Sequence, residues 1–181
     1  RKLIPVRSKR VWPGRDEKIL TAWNGLMISA FAKAGAAFSN DRFLTAATNA
    51  ADWCLKHLRD ANGRLLRTAD AKGNAKLNGY LEDYAFLADA LVSLYEATFT
   101  LKYLAAAGEL ADTMLKHFAD PNGPGFFFVP DDHETLIART KDVHDGSTPS
   151  GNAVAVTVLL RLAKLLDRRE PQQHRDGDRV A

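Results

Sequence analysis

The sequence predicts an all-α protein built as a curved array of helical hairpins. The chain repeats on itself: at a shift of 60 residues, 42–63 falls on 102–123 without a gap, and eleven of these 22 positions are identical. Apolar residues recur at helical spacing, as in Phe86, Leu87, Ala90, Leu91 and Leu94. The links inside each hairpin, 38–42 and 99–102, are short, and short links make antiparallel neighbours. A fixed period of this length marks stacked supersecondary units that share one core.

The first helices of the units fall into register as well. Residues 24–35 match 84–95 in apolar pattern, and a further shift of 68 residues lays 84–95 onto 152–163. The chain thus holds two complete units and the first helix of a third. Each second helix is followed by an Asp-x-Asn-Gly run, 60–63 and 120–123, which supplies Asn and Gly for a C-terminal stop. Short β-prone pieces come next, at 63–68, 125–129 and 135–139, and read as small hairpins within the long loops rather than a main sheet. The domain is expected over 1–167, with 168–181 a polar tail, disordered or the product of truncation. That tail is too polar to bury the apolar face of 152–166, so a truncated chain with an exposed apolar edge is expected.

Bulk properties narrow the function. Hydrophobic residues are 46% and charged residues 26% of 181, a soluble globular composition. No apolar run reaches the ~20 residues of a membrane span, so no membrane partner is expected. The net charge is +3, and the basic residues are scattered except at the two ends, Arg1 to Arg15 and Arg168 to Arg179. No basic stripe with interleaved aromatics appears, which argues against nucleic acid. The one cysteine, Cys54, sits on an apolar helical stripe and reads as a buried, inert thiol. With no internal disulfide, a cytoplasmic setting is expected.

The long links 62–79 and 120–150 join one hairpin to the next, so they emerge at one end of the stack. Three segments there lead into the first helices: 16–26, 78–86 and 145–154. They offer Asp16, Lys18, Trp23 and Asn24, then Tyr80, Glu82, Asp83 and Tyr84, then Asp145, Ser150 and Asn152. Aromatic rings stack on the apolar faces of sugars, and carboxylates and amides bond their hydroxyls. Paired carboxylates also supply a general acid and a general base. Asp83 with Asp16 or Asp145 is the expected catalytic set. Lys18, Asn24, Glu82, Ser150 and Asn152 are expected to bind, with Trp23, Tyr80 and Tyr84 stacking.

Each residue also has a plainer role. Acids at helix starts oppose the macrodipole and cap free N–H groups, Ser150 is a natural N-cap, and Trp23 can be core. The loop 145–154 carries neither a GxxxxGK[ST] nor a GxGxxG run, so no phosphate cradle is read there. His57 and His117 are repeat equivalents at the ends of second helices, which points to structural use. His133 and His144 share a loop with Asp131, Asp132, Glu134 and Asp142 but lack zinc spacing. No metal and no cofactor is expected.

The runs DEKILTAWNGLMI, NGYLEDYAFLADALVSLYEAT and DGSTPSGNAVAVTVLLRL resemble the YyaL-like family, thioredoxin-domain proteins related to spermatogenesis-associated protein 20. The resemblance covers roughly residues 1–167. It implies a partial (α/α) toroid of the six-hairpin glycosidase type, similar to that of sugar 2-epimerases. It also implies an N-terminal thioredoxin-like domain, absent here, as a partner, beside a carbohydrate ligand. Sugar 2-epimerases of this fold use histidines, and the three lead-in motifs contain none. A sugar-acting cleft or a non-catalytic scaffold binding a sugar, a peptide or that domain are the two functions expected.

Overall fold

A computed structural model describes residues 2–134 and 138–166. Its elements in order are α1 (Leu3–Ser8), β1 (Ile19–Leu20), α2 (Thr21–Phe38), α3 (Asp41–His57), β2 (Leu66–Ala69), β3 (Ala75–Asn78), α4 (Leu81–Thr98), α5 (Leu101–His117) and α6 (Gly151–Leu165). Two hairpins, α2–α3 and α4–α5, stand beside each other, and α6 opens the next unit. The inner helices α2, α4 and α6 run side by side with α4 in the middle, while α3 and α5 back them from outside. This is the array of helical hairpins expected from the repeat, and the partial toroid that the family resemblance implies.

The repeat extends to backbone detail. Ser39 and Phe99, 60 residues apart, both end an inner helix in the left-handed region, at φ 49° and 53°. Each donates its N–H back to the helix, to Gly35 and Tyr95 respectively. The tight turns this produces make α3 and α5 fold straight back. Asn40 then caps α3, its side chain accepting from the Arg42 N–H at 3.1 Å.

Central α4 is apolar on nearly every side and is buried from Leu81 through Leu94 but for Glu82 and Asp89. A helix that is apolar all round belongs inside. Gly25 makes its closest approach possible: a Cβ there would lie 2.7 Å from the Phe86 carbonyl carbon. Polar ties clip the three inner helices together further along. Ser29 donates to Asp89, and Arg161 of α6 reaches Asp89, Ser93 and Glu96 of α4. Ala22 meets Asp83, Ser29 meets Asp89, and Arg161 meets Glu96, so the three helices ascend in the same direction.

The small sheet was only partly legible. The strands β1, β2 and β3 form one antiparallel sheet, in register Ile19↔Ala69, Leu20↔Thr68, Leu66↔Asn78 and Thr68↔Lys76. The hairpin expected near 63–68 is β2–β3, but β1 adds to it from the segment leading into α2. In the second long loop, the expected strand at 125–129 is corrected to a single bridge, Ala119↔Phe126. Pro124 and Pro130 bracket that run, and proline lacks the N–H a ladder needs. The piece at 135–139 lies partly, and the tail 168–181 wholly, outside the described residues. Helix α1 was not anticipated; it is exposed along its length.

Candidate functional site

The starts of α2, α4 and α6 meet at one end of the array. The tie between the first two is Asp83, fully buried in the first turn of α4. Its Oδ1 accepts the Ala22 N–H of α2 at 3.0 Å, and its Oδ2 accepts the Tyr80 N–H of its own helix start at 2.9 Å. The first N–H groups of any helix lack intrahelical partners. Leu20, at the N-cap of α2, has no hydrogen-bonding side chain, and Asp83 caps this neighbouring helix across 61 positions of sequence. On the other side, Gly151 of α6 sits over the Glu82 backbone, where an added Cβ would come within 3.3 Å of the Glu82 nitrogen.

Arg67 on β2 completes this knot, though sequence reading passed over it. Its guanidinium lies 3.0 Å from Glu82, 3.3 Å from Asp83 and 4.4 Å from the centre of the Tyr80 ring. Burial pushes the Asp83 carboxyl up to about 6, with the Tyr80 N–H and Arg67 pulling it back down. The signal in the sequence is a charged residue inside a β-prone piece: Arg67 follows Leu65 and Leu66 and directly precedes Thr68. Nothing local says that a strand arginine will meet a helix start.

Beside Tyr80 lies a depression of about 400 Å³ lined by Leu77, Asn78, Tyr80, His133 and Glu134. Leu77 is exposed and held at φ 65°, in the left-handed region that a γ-branched side chain rarely adopts. His133 and Glu134 come from the second long loop, and the His133 ring centre is 6.1 Å from that of Tyr80. Phe128 packs on the Tyr80 ring as well, at 4.8 Å.

The other expected residues divide between surface and interior. Trp23 is exposed and free to stack. Asn24, half-buried, donates to the Leu20 carbonyl. Asp16 and Lys18 pair with each other at 3.0 Å on an exposed segment, and Lys18 holds the Asp16 carboxyl below its ordinary range. They line a separate depression with Asp70 and Lys76. Asp145 accepts the Ser150 N–H at 2.8 Å, and Ser150 Oγ caps α6 by accepting from Ala153. Asn152 is buried, with Oδ1 accepting from the Phe126 N–H and Nδ2 donating to the Phe126 and Asp142 carbonyls. It acts as a short strand partner for the loop.

Tyr84 is likewise placed inside. It is 1% exposed, its ring 5.2 Å from Phe118, and its hydroxyl accepts from the Leu65 N–H at 2.9 Å and from Arg64 at 3.1 Å. A stacking role at the surface is therefore replaced by anchoring of the β2 lead-in. Tyr84→Phe strands a buried backbone N–H, and an unfolding free energy lower by about 1–3 kcal/mol is expected in urea denaturation. Asp16, Asp83 and Asp145 thus each have their own partners, and the side chains brought together at the knot are Arg67, Tyr80, Glu82 and Asp83.

Cys54 is buried, and burial pushes its thiol up to about 12, as expected of an inert cysteine. His117 ends α5 and bonds Asp131 at 2.8 Å, the structural use expected of it. His117, Asp131 and Asp132 could offer a cation three ligand atoms within 4.8 Å of one another. Arg64 already holds Asp132 through two bonds of 2.6 and 3.0 Å, so this group is neutralised from within.

Paired inner and outer helices carrying their polar knot at one end define the fold class, a partial (α/α) toroid. The fold is similar to that of cellobiose 2-epimerase from Spirochaeta thermophila, with a TM-score of 0.66 and 21% identity over 83% of this chain and 41% of that one. It is equally similar to a family 105 glycoside hydrolase of C. acetobutylicum, TM-score 0.66 and 16% identity over 82% of this chain and 43% of that one. By sequence, the chain is a homologue of spermatogenesis-associated protein 20: it is 41% identical to the Homo sapiens protein over 170 residues, which is 89% of this chain and 22% of that protein. The chain therefore spans about a fifth of the length of the curated relatives it matches. No protein-family model matches it. Among the described residues, no helix is long and apolar enough to cross a membrane.

Proposed function

We propose that the shared end of α2, α4 and α6 is a carbohydrate-binding face that takes part in acid–base chemistry on a sugar. The observation that carries this reading is the knot at Tyr80. An aromatic ring, a guanidinium and a half-buried carboxylate, Glu82, stand together beside a depression large enough for a sugar ring. Tyr80 and the exposed Trp23 supply stacking surfaces, and Glu82, Asn78 and Glu134 supply partners for hydroxyl groups. Asp83 touches no open space and serves as a positioning residue that holds Tyr80 and Arg67 in place. Glu82 is the carboxylate that can reach a substrate, and Asp16 and Asp145 remain the expected sources of a second.

A non-catalytic scaffold is the second reading. It is favoured by the separate internal partners of Asp16, Asp83 and Asp145, which leave no ready acid–base pair among the described residues. Such a scaffold would hold a sugar, a peptide or the thioredoxin-like domain on the same end.

Titration calorimetry with a panel of oligosaccharides, cellobiose and mannan fragments included, separates these. Tyr80→Ala is expected to weaken sugar binding at least tenfold with the helical signal retained. Glu82→Gln is expected to keep binding and abolish turnover. Binding without turnover of any sugar in wild type would favour the scaffold, and absence of any sugar binding would sink both sugar readings.

A further inference from the structure

A second depression, of about 300 Å³, adjoins the one beside Tyr80. Asp60 and Asn62, in the turn that follows α3, line it together with Lys116 and His117, which end α5. Asn78, from the first long loop, lines both depressions. From the second long loop, Asp132 lines the new depression and His133, the next residue, lines the one at Tyr80. Both loops therefore run from one depression to the other without a break. The two depressions form one groove, which leads from the start of inner helix α4 out to the end of outer helix α5.

The fold fixes the spacing of the two loops. Arg64 of the first holds Asp132 of the second through bonds of 2.6 and 3.0 Å, and its Nε donates to the buried Tyr84 hydroxyl at 3.1 Å. His117 bonds the Asp131 carboxylate at 2.8 Å, and its carbonyl accepts the Asp131 N–H at 2.9 Å. Walls held in this way need little ordering when a ligand enters. The repeat shows that the groove also keeps bonding capacity in reserve. Asp60 and its equivalent Asp120 each accept the N–H two residues on, at 2.9 Å from Asn62 and 2.8 Å from Asn122. Lys141 takes the other oxygen of Asp120, whereas among the described residues no cation takes that of Asp60. The side chains of Asn62, Asn78 and Lys116 likewise have no partner among the described residues.

We propose that this groove holds two adjoining sugar subsites and takes a neutral oligosaccharide of two or more residues, one on the Tyr80 ring and the next between Asn78 and Lys116. Small-ligand sites measure about 300–1,000 Å³, so each depression has room for one sugar residue and neither is needed twice. Two acids of the second depression, Asp60 and Asp132, are matched by two cations, Arg64 and Lys116. Donors and acceptors in balance suit a ligand rich in neutral hydroxyl groups, each of which can both give and accept a hydrogen bond. The apolar residue lining this depression is Leu65, which is fully buried, so the groove offers no apolar socket for a peptide side chain. The proposal rests on the sugar reading of the Tyr80 site and assigns that site the length and charge of its ligand.

Titration calorimetry of the chain with glucose, cellobiose and cellotriose, and with mannose, mannobiose and mannotriose, tests it. In at least one series the disaccharide is expected to bind about tenfold more tightly than the monosaccharide, the gain of a few added hydrogen bonds. Tyr80→Ala is expected to weaken both lengths. The double variant Asn62→Ala with Lys116→Ala changes two exposed side chains, so its helical signal is expected to be retained. In it the two affinities are expected to come within about threefold of each other. A wild-type chain that binds monosaccharide and disaccharide equally overturns the proposal and leaves the Tyr80 site standing. So does an undiminished gain in the double variant. Tighter binding of trialanine than of either trisaccharide assigns the groove to a peptide and overturns it equally. Absence of binding by all six sugars overturns the sugar reading itself, and this proposal with it.

Discussion

Gly25→Ala is expected to lower the unfolding free energy by about 3 kcal/mol, a large share of the 5–15 kcal/mol that holds a domain together. The added Cβ would lie 2.7 Å from the Phe86 carbonyl carbon, 2.8 Å from the Leu87 nitrogen and 2.8 Å from the Phe86 oxygen. All three are main-chain atoms in the middle of a helix, so no side-chain rotation relieves the clash. Helix α2 has to move away from α4 as a body, and contacts along the whole seam loosen with it. Alanine gains about 1 kcal/mol in helix propensity over glycine, which reduces the loss without reversing it. Gly14→Ala is the matched control, because nothing lies within 4 Å of its Cβ position. Urea denaturation of the two variants checks the difference; equal midpoints would mean that α2 and α4 do not approach as closely as described.

Asp83→Ala is expected to cost about 3–5 kcal/mol, since it leaves the buried Ala22 N–H and the part-buried Tyr80 N–H unpaired and removes one of the two anions facing Arg67. The helix starts of α2 and α4 both lose their cap, and the Tyr80 knot loses its support. Asp83→Asn separates charge from hydrogen bonding. The amide oxygen can still accept from Ala22, but the amide nitrogen then faces the Tyr80 N–H and Arg67, both donors. The pH dependence follows from the raised carboxyl. With a folded value of about 6 against an ordinary 3.8, the native state holds the proton more tightly than the unfolded chain. The contribution of Asp83 to stability is thus full below about pH 4 and is lost as pH rises through 6. Wild-type stability is expected to carry this downward component between pH 4 and 6, and Asp83→Asn is expected to lack it. Identical slopes in the two proteins would show that Asp83 stays ionised throughout.

These two residues show how unevenly the molecule can be read from its sequence. The inner and outer helices were legible because their evidence is local: apolar spacing, short links and an internal copy to compare with. Even the cap geometry repeats, at Ser39 and Phe99. The site was legible only as a location. Repeat logic brought 16–26, 78–86 and 145–154 to one end, but could not say which side chains would point out. Tyr84 and Asn152, expected to bind a ligand, and Asp83, expected to be catalytic, all bond the protein's own backbone. Arg67 looked like an ordinary strand residue and became the centre of the knot.

The sequence by itself determined the five long helices, their hairpin order, their stacking period and the end at which the polar residues gather. Each of these follows from periodicity and chain connectivity, which are written in one dimension. Only the tertiary structure decided the partners of each polar group: Asp83 capping a helix 61 positions away, Arg67 joining Glu82 and Asp83, and Asn152 holding Phe126. The physical reason is desolvation. A buried polar atom must find a partner wherever the fold supplies one, and that choice depends on distances between segments that no local pattern encodes.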